Sequence, residues 1–277
     1  MDQQEGTKIK SPQIFDIITN KGGRLFFILG GFFVANTLCA EFMGVKIFSL
    51  EHSLGIQQVH WKIFGGEYNF DLSAGVLLWP VVFIMTDIIN EYYGHKGVNF
   101  LSWLVAGFIA YAYFMFFSSI SLQPSPWWPG SQMSKGVSDM NASYSSIFGQ
   151  SNSIIIASLI AFLLGQFVDV AIFHQIKKVT GEKYLWLRST GSTLFSQLID
   201  TFVVTSLAFY FIPRWFPSTG QTPWSLQQLF TVSSGGYLYK FIVAIAMTPV
   251  IYLVHNTIEK YLGHDLAKRM KDHAANA

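Results

Sequence analysis

Charge is scarce in this chain. Its 277 residues carry 12% Asp, Glu, Lys and Arg, where soluble domains carry about 25%. That shortage excludes an ordinary soluble domain. A hydrophobic share of 51%, with Phe the commonest aromatic, points to an integral membrane protein. The net charge of +2 is too small to argue for a nucleic-acid partner. Cysteine is nearly absent: Cys39 alone cannot close an intramolecular disulfide. Nor do Asn36, Thr37 and Leu38 before it make the small-residue site of a lipoprotein. The chain lacks His-Glu-x-x-His, Gly-x-Ser-x-Gly and any nucleotide-binding motif. His52, His60, His95, His174, His255, His264 and His273 are scattered. His174 and His255 come within reach of each other at one membrane edge, but two imidazoles without a spaced carboxylate make a poor metal site. No catalytic residue, metal or cofactor is expected. No small-residue cleavage site follows the first apolar run, which reads as a retained span.

What the chain has is long apolar runs. A helical span needs about 20 such residues. Six stretches qualify: roughly Leu25–Val45, Leu72–Asn90, Val98–Ile120, Ile154–Gln175, Ser189–Ile212 and Gly236–Thr257. The runs are continuous rather than alternating, which excludes a barrel. With six spans, Lys8, Lys10, Lys21, Arg24, Lys96, Lys177, Lys178, Lys183, Arg188, Lys260, Lys268, Arg269 and Lys271 fall on one side. Only Lys46, Lys62, Lys135 and Arg214 fall on the other. That bias predicts an all-α six-helix bundle with both termini cytoplasmic. Residues 1–24 form an N-terminal tail, 25–258 the membrane domain and 259–277 a C-terminal tail. The outer connections are long enough to lid a pocket open to the outside. Within one of them, Trp127 and Trp128 read either as interface anchors or as stacking residues for a flat ring.

The chain is organised around Leu77 to Gly97, LLWPVVFIMTDIINEYYGHKG. Asp87 and Glu91 share one helical face, Thr86 and Asn90 flank them, and Gly94 is placed to cap the helix. Glu91 also fits a frayed helix end at the membrane surface. Other spans hold polar groups too: Asn36 and Glu41 in the first, Gln166 and Asp169 in the fourth, Gln197 and Asp200 in the fifth, Lys240 in the sixth. A charge in lipid needs a partner, a wet cavity or a task. Asp200 and Lys240 are natural partners, and either simply neutralise each other or serve a ligand. Arg188 is placed to pair with Asp87 or Asp169. Carboxylates and amides together can read the edge of a planar heterocycle, since a carboxylate accepts two adjacent N–H groups and an amide matches a carbonyl beside an N–H. Pro249 predicts a kink in the last span.

Four segments, TDIINEYYG (Thr86–Gly94), GQFVDVAIF (Gly165–Phe173), STLFSQLID (Ser192–Asp200) and YKFIVAIAMTP around Lys240, resemble the queuosine precursor transporter family, also called vitamin-uptake-transporter-like. The resemblance implies multi-pass residence in the bacterial inner membrane and uptake of 7-cyano- or 7-aminomethyl-7-deazaguanine. It also implies a six-helix fold like the substrate-binding S-components of energy-coupling-factor transporters. Asn36, Gln166, Asp169, Gln197, Asp200 and Lys240 are then the substrate-binding candidates, with Thr86, Asp87, Glu91 and Arg188 at a gate or coupling site. The small residues that dock such components on an ATPase module are reduced here to Gly31 and Ala35, which favours a stand-alone carrier. A homodimer, an external energising module, a role as one component of a larger transporter, and a membrane-embedded enzyme remain the alternatives.

Overall fold

The computed structural model describes residues 20–149, 152–181, 183–217 and 221–276. Most of the expected N-terminal tail, including Lys8 and Lys10, lies outside the described residues. Helix α1 (Lys21–Met43) is followed by four short strands, β1 (Ile47–Ser49), β2 (Trp61–Ile63), β3 (Gly66–Tyr68) and β4 (Asp71–Ser73). Then come α2 (Trp79–Ile120), α3 (Met140–Phe148), α4 (Asn152–Thr180), α5 (Leu185–Thr205), α6 (Leu226–Ala246), α7 (Thr248–Leu262) and α8 (His264–Asn276). Beyond Thr205, α5 widens into a π-helical turn at Ser206–Phe211 and ends at Trp215. Five helical segments are long and apolar enough to cross a membrane: Lys21–Met43, Trp79–Ile120, Met140–Thr180, Leu185–Trp215 and Leu226–Ala246. The protein is therefore an all-α, multi-pass membrane protein.

Helix α2 is in fact a hairpin. Gly94 adopts φ 71° and ψ −177°, a conformation open in practice only to glycine. The contacts with α1 show the reversal. Gly75 lies against the Ala40 carbonyl and Tyr93 against Phe26, so residues 79–93 run down α1. Leu101 then touches Gly30, and Phe116 meets Phe42 at 5.1 Å between ring centres, so residues 95–120 run back up. We call these arms α2a and α2b. The Gly94 expected as a helix cap is the apex of this reversal.

Two span boundaries differ from the sequence reading. Leu72 to Leu78 forms strand β4 and a 3-10 turn, so the second span starts only at Trp79. The last long helix starts at Leu226, about ten residues before Gly236, and is interrupted at Met247. The segment LQQLFTVSSGG is polar enough to read as loop, yet Ser225 and Gln228 cap it reciprocally and start the helix there. The break at Met247 precedes Pro249, where the kink was expected: proline supplies no N–H to the turn before it.

The strands pair antiparallel as β1–β4 and β2–β3 and lie over the α6 end of the bundle. Thr231 donates to the Ile63 carbonyl at 3.0 Å. Tyr68 packs on Gly235 so closely that a Cβ there would sit 2.3 Å from its ring. At the opposite end, Gly22 touches Met270, Lys21 Nζ donates to the Tyr261 carbonyl and Gly94 abuts Ala274. Both ends of the described chain thus meet at the Gly94 end. Between the two ends, Phe33, Val82, Ile88, Val105 and Phe162 belong to one buried core.

Candidate functional site

A narrow cavity opens between α2a, α5, α6 and the start of α7. Helical spacing builds its walls. Trp79, Phe83 and Asp87 are four apart and line it from α2a. Thr190, Thr193 and Gln197 line it from one face of α5, and Tyr239, Lys240 and Met247 line it from α6 and its end. Trp79 and Phe83 stack at 5.9 Å and 20°, giving a flat aromatic wall. The polar groups sit among apolar ones, as in a pocket that holds a ring by its faces and reads it by its edge.

Two acceptors in this lining lack a partner among the described residues: Asp87 Oδ1 and Gln197 Oε1. Asp87 is 4% exposed and Gln197 3%. An unpaired acceptor at such depth is costly. Asp87 holds a hydrogen bond through its other oxygen, from Ser189. Lys240 Nζ donates to Asp200 Oδ2 at 2.7 Å, and each side chain keeps about a fifth of its surface, 19% and 21%. The cation is therefore part of the cavity wall, while Asp200 stands behind it, outside the lining.

A second polar cluster lies between the cavity and Gly94. Glu91, 1% exposed, accepts from Arg188 at 2.8 Å through one oxygen and from Lys177 at 3.1 Å through the other. Arg188 also donates to the Gly181 carbonyl at 3.0 Å, which ties the start of α5 to the end of α4. Asn90 Oδ1 and His174 Nε2 are 2.9 Å apart. Thr86 donates to Gln166 Oε1 at 3.2 Å, and Ser196 donates to Asp169 Oδ1 at 3.1 Å.

The expected site residues therefore divide. Gln197 and Lys240 line the cavity, and so does Asp87, which the sequence placed at a gate. Gln166 and Asp169 are buried behind it on α4. Asn36 stays on α1, where its amide donates to the Phe32 carbonyl at 2.8 Å, away from the lining. Arg188 pairs with Glu91 instead of Asp87 or Asp169, because Glu91 stands one turn nearer the end of the bundle where α5 begins. Glu91 is no frayed helix end. His174 and His255 do not pair: the first meets Asn90, the second Tyr92. Trp127 is 70% exposed and Trp128 packs on Tyr144 at 5.9 Å, so neither lines the cavity. Sequence reasoning missed Trp79, Phe83, Tyr239, Thr190 and Thr193. The signal was the four-residue spacing that puts Trp79 and Phe83 on the face of Asp87.

Residues 73–254 match the model of a protein family described as "Putative vitamin uptake transporter". A relative from Bacillus subtilis named "Probable queuosine precursor transporter" is 29% identical over 192 residues, 69% of this chain and 75% of the relative. One of the same name from Haemophilus influenzae is 26% identical over 200 residues, 71% of this chain and 74% of the relative. The "Queuosine precursor transporter" of Escherichia coli is 40% identical over 62 residues, 22% of this chain and 24% of the relative. No solved structure matches the chain.

Proposed function

The chain belongs to the vitamin uptake transporter family, and from that membership and its cavity we propose that it imports a 7-deazaguanine precursor of queuosine. The family is one of transporters, not of enzymes. One observation carries the choice of ligand: two acceptors without a partner among the described residues, Asp87 Oδ1 and Gln197 Oε1, line the same cavity as the Trp79–Phe83 stack. A guanine-like ring offers adjacent N–H and NH₂ donors to a carboxylate, and flat faces to aromatic walls. The Lys240 ammonium is the donor available to the ring carbonyl or to a nitrile. Because Asp200 neutralises that ammonium, the charge of the wall does not choose between the 7-cyano and the 7-aminomethyl compound.

The bilayer in this reading is crossed six times, by α1, α2a, α2b, α4, α5 and α6. Residues 25–258 form the transporter domain, an S-component-like bundle in the bacterial inner membrane. Residues 1–24 and 259–277 are the cytoplasmic tails, so Gly94 faces the cytoplasm and the strands face out. The cavity binds the solute, and the Glu91–Arg188–Lys177 cluster closes the cytoplasmic exit beneath it.

The test is rescue. A bacterium unable to make queuosine precursors, given this chain and external 7-cyano-7-deazaguanine, regains queuosine in its tRNA. Absence of rescue with the protein confirmed in the membrane contradicts the proposal. Rescue that requires a transport ATPase would recast the chain as a binding component.

A further inference from the structure

The charges buried around Asp87 do not balance. Asp87 and Glu91 on α2a and Asp169 on α4 make three carboxylates, each 4% exposed or less. Lys177 on α4 and Arg188 on α5 make two cations, and Glu91 binds both, one with each oxygen. Asp200 and Lys240 cancel each other. Asp87 and Asp169 are left with hydroxyl donors: Ser189 for Asp87 and Ser196 for Asp169. Ser192 and Thr193 stand beside Asp169 as well. Both carboxylates keep one oxygen without a partner among the described residues, Asp87 Oδ1 and Asp169 Oδ2. The two carboxylates sit on adjoining turns: Ser192 beside Asp169 donates to the carbonyl of Ser189, the donor to Asp87, at 3.1 Å, and Thr86 next to Asp87 donates to Gln166, one turn from Asp169, at 3.2 Å.

The other titratable groups that face this cluster do not change the count. His174 shares a hydrogen bond with Asn90 and lies near His95, Lys177 and Lys178. From α7, His255 reaches Tyr92 and Glu259, and Glu259 pairs with Lys271 of α8. With the histidines neutral, one negative charge is left over in this cluster; Glu41, farther out on α1, is a separate carboxylate that accepts from Ser158 and Tyr113. An unpaired charge within the cluster costs at least as much as a lost hydrogen bond, and a bound counter-cation removes it.

We propose that Asp87 and Asp169 together bind one monovalent cation, a proton or a sodium ion, which enters with the solute. This rests on the transporter reading. Asp87 joins the two sites, since it also lines the cavity. Ligand N–H groups need Asp87 ionised, so a proton that enters with the ligand sits on Asp169 Oδ2 as a carboxylic acid. It leaves from there as H⁺ and regenerates the carboxylate. A sodium ion would instead bridge the two carboxylates with the neighbouring serine and threonine oxygens, the hard ligands it prefers.

Two experiments on the purified full chain separate this from the choice of solute. In the first, thermal unfolding of the ligand-free protein is followed against pH and, separately, against sodium with choline as the control. The native protein gains stability as pH falls or as sodium is added, and Asp169→Asn removes that response. Identical responses in native and variant protein overturn the proposal. If Asp169→Asn does not insert, Ser196→Ala must shift the pH or sodium midpoint, and an unshifted midpoint overturns it equally. In the second, vesicles holding the protein take up labelled 7-cyano-7-deazaguanine. A gradient of one pH unit, or a tenfold sodium gradient, drives about tenfold accumulation of a neutral solute. Accumulation under the pH gradient alone identifies the proton, and under the sodium gradient alone the sodium ion. Uptake that merely equilibrates under both gradients overturns the coupling. No uptake at all refutes the transport reading, and the unfolding experiment then still decides the cation site.

Discussion

Two of the carboxylate–cation groupings among the described residues differ in depth and in what they border. Asp200–Lys240 is a single 2.7 Å pair, about a fifth exposed, at the wall of a cavity. Glu91–Arg188–Lys177 is a triad in which no side chain exceeds 8% exposure, set between the cavity and the Gly94 turn. A partly wet pair can be exchanged for other partners at modest cost, because water screens what is lost. A dry triad cannot, because each member strands the others. The first grouping suits a site that binds and releases, and the second suits a seal. In the proposed cycle the triad must open for release.

The largest effect is expected from Glu91→Leu, which leaves Arg188 and Lys177 buried without a partner. Stability should fall by about 3–5 kcal/mol, measured as unfolding in detergent or as failed insertion. A loss no larger than that of Lys240→Met would erase the distinction between the groupings. Next is Gly94→Ala. The glycine conformation at the hairpin apex and the Ala274 carbonyl 3.0 Å from any Cβ there make it costly. The strain should amount to about 1–3 kcal/mol, read as a lower melting temperature.

The cavity responds differently. Gln197→Leu should leave melting unchanged and weaken ligand binding by about 1–3 kcal/mol, because the ligand donor that it meets goes unpaired. Calorimetry checks it, and unchanged affinity removes Gln197 from the site. Asp200→Asn with Lys240→Met removes the pair without stranding a charge. It should insert normally but bind the ligand more weakly by about 1–3 kcal/mol, because the Lys240 donor is lost. An unaltered affinity would leave the pair a structural role only.

The smallest effect is at the surface. Lys271 donates to Glu259 at 2.7 Å and holds its carboxyl below the ordinary value of 4.5, against a smaller opposing effect of burial. A lowered carboxylate stabilises the folded state above its unfolded value, and that contribution fades as pH falls from about 4.5 through the folded value. Docking of α8, followed by protease protection, should weaken over that acid window and lose its pH response in Lys271→Ala.

The helical class was legible because apolar runs and scarce charge leave no other solution in a bilayer. So was the Asp200–Lys240 pair, since two opposite charges in lipid have few alternatives. The Arg188–Glu91 contact was not legible. It joins residues 97 apart in sequence, and only the packing of α2a on α5 selects Glu91 over Asp87. The start of α6 was hidden because amides and hydroxyls at Gln227, Gln228, Thr231, Ser233 and Ser234 lower hydropathy, although a capping box fixes that helix end. The aromatic wall was hidden for a different reason. A Trp near a span end reads as an interface anchor, and only the position of Asp87 on the same face shows that Trp79 turns inward.

Both groupings gain their roles from a cavity beside Asp87 and Gln197 that binds a 7-deazaguanine. Titration of the purified protein with 7-cyano-7-deazaguanine, repeated with guanine, the 7-aminomethyl compound and riboflavin, tests it most directly. Saturable binding of the 7-cyano and 7-aminomethyl compounds is expected, with loss of both in Asp87→Asn with Gln197→Leu. Equal binding of riboflavin, or undiminished binding by that double variant in a folded protein, would contradict it.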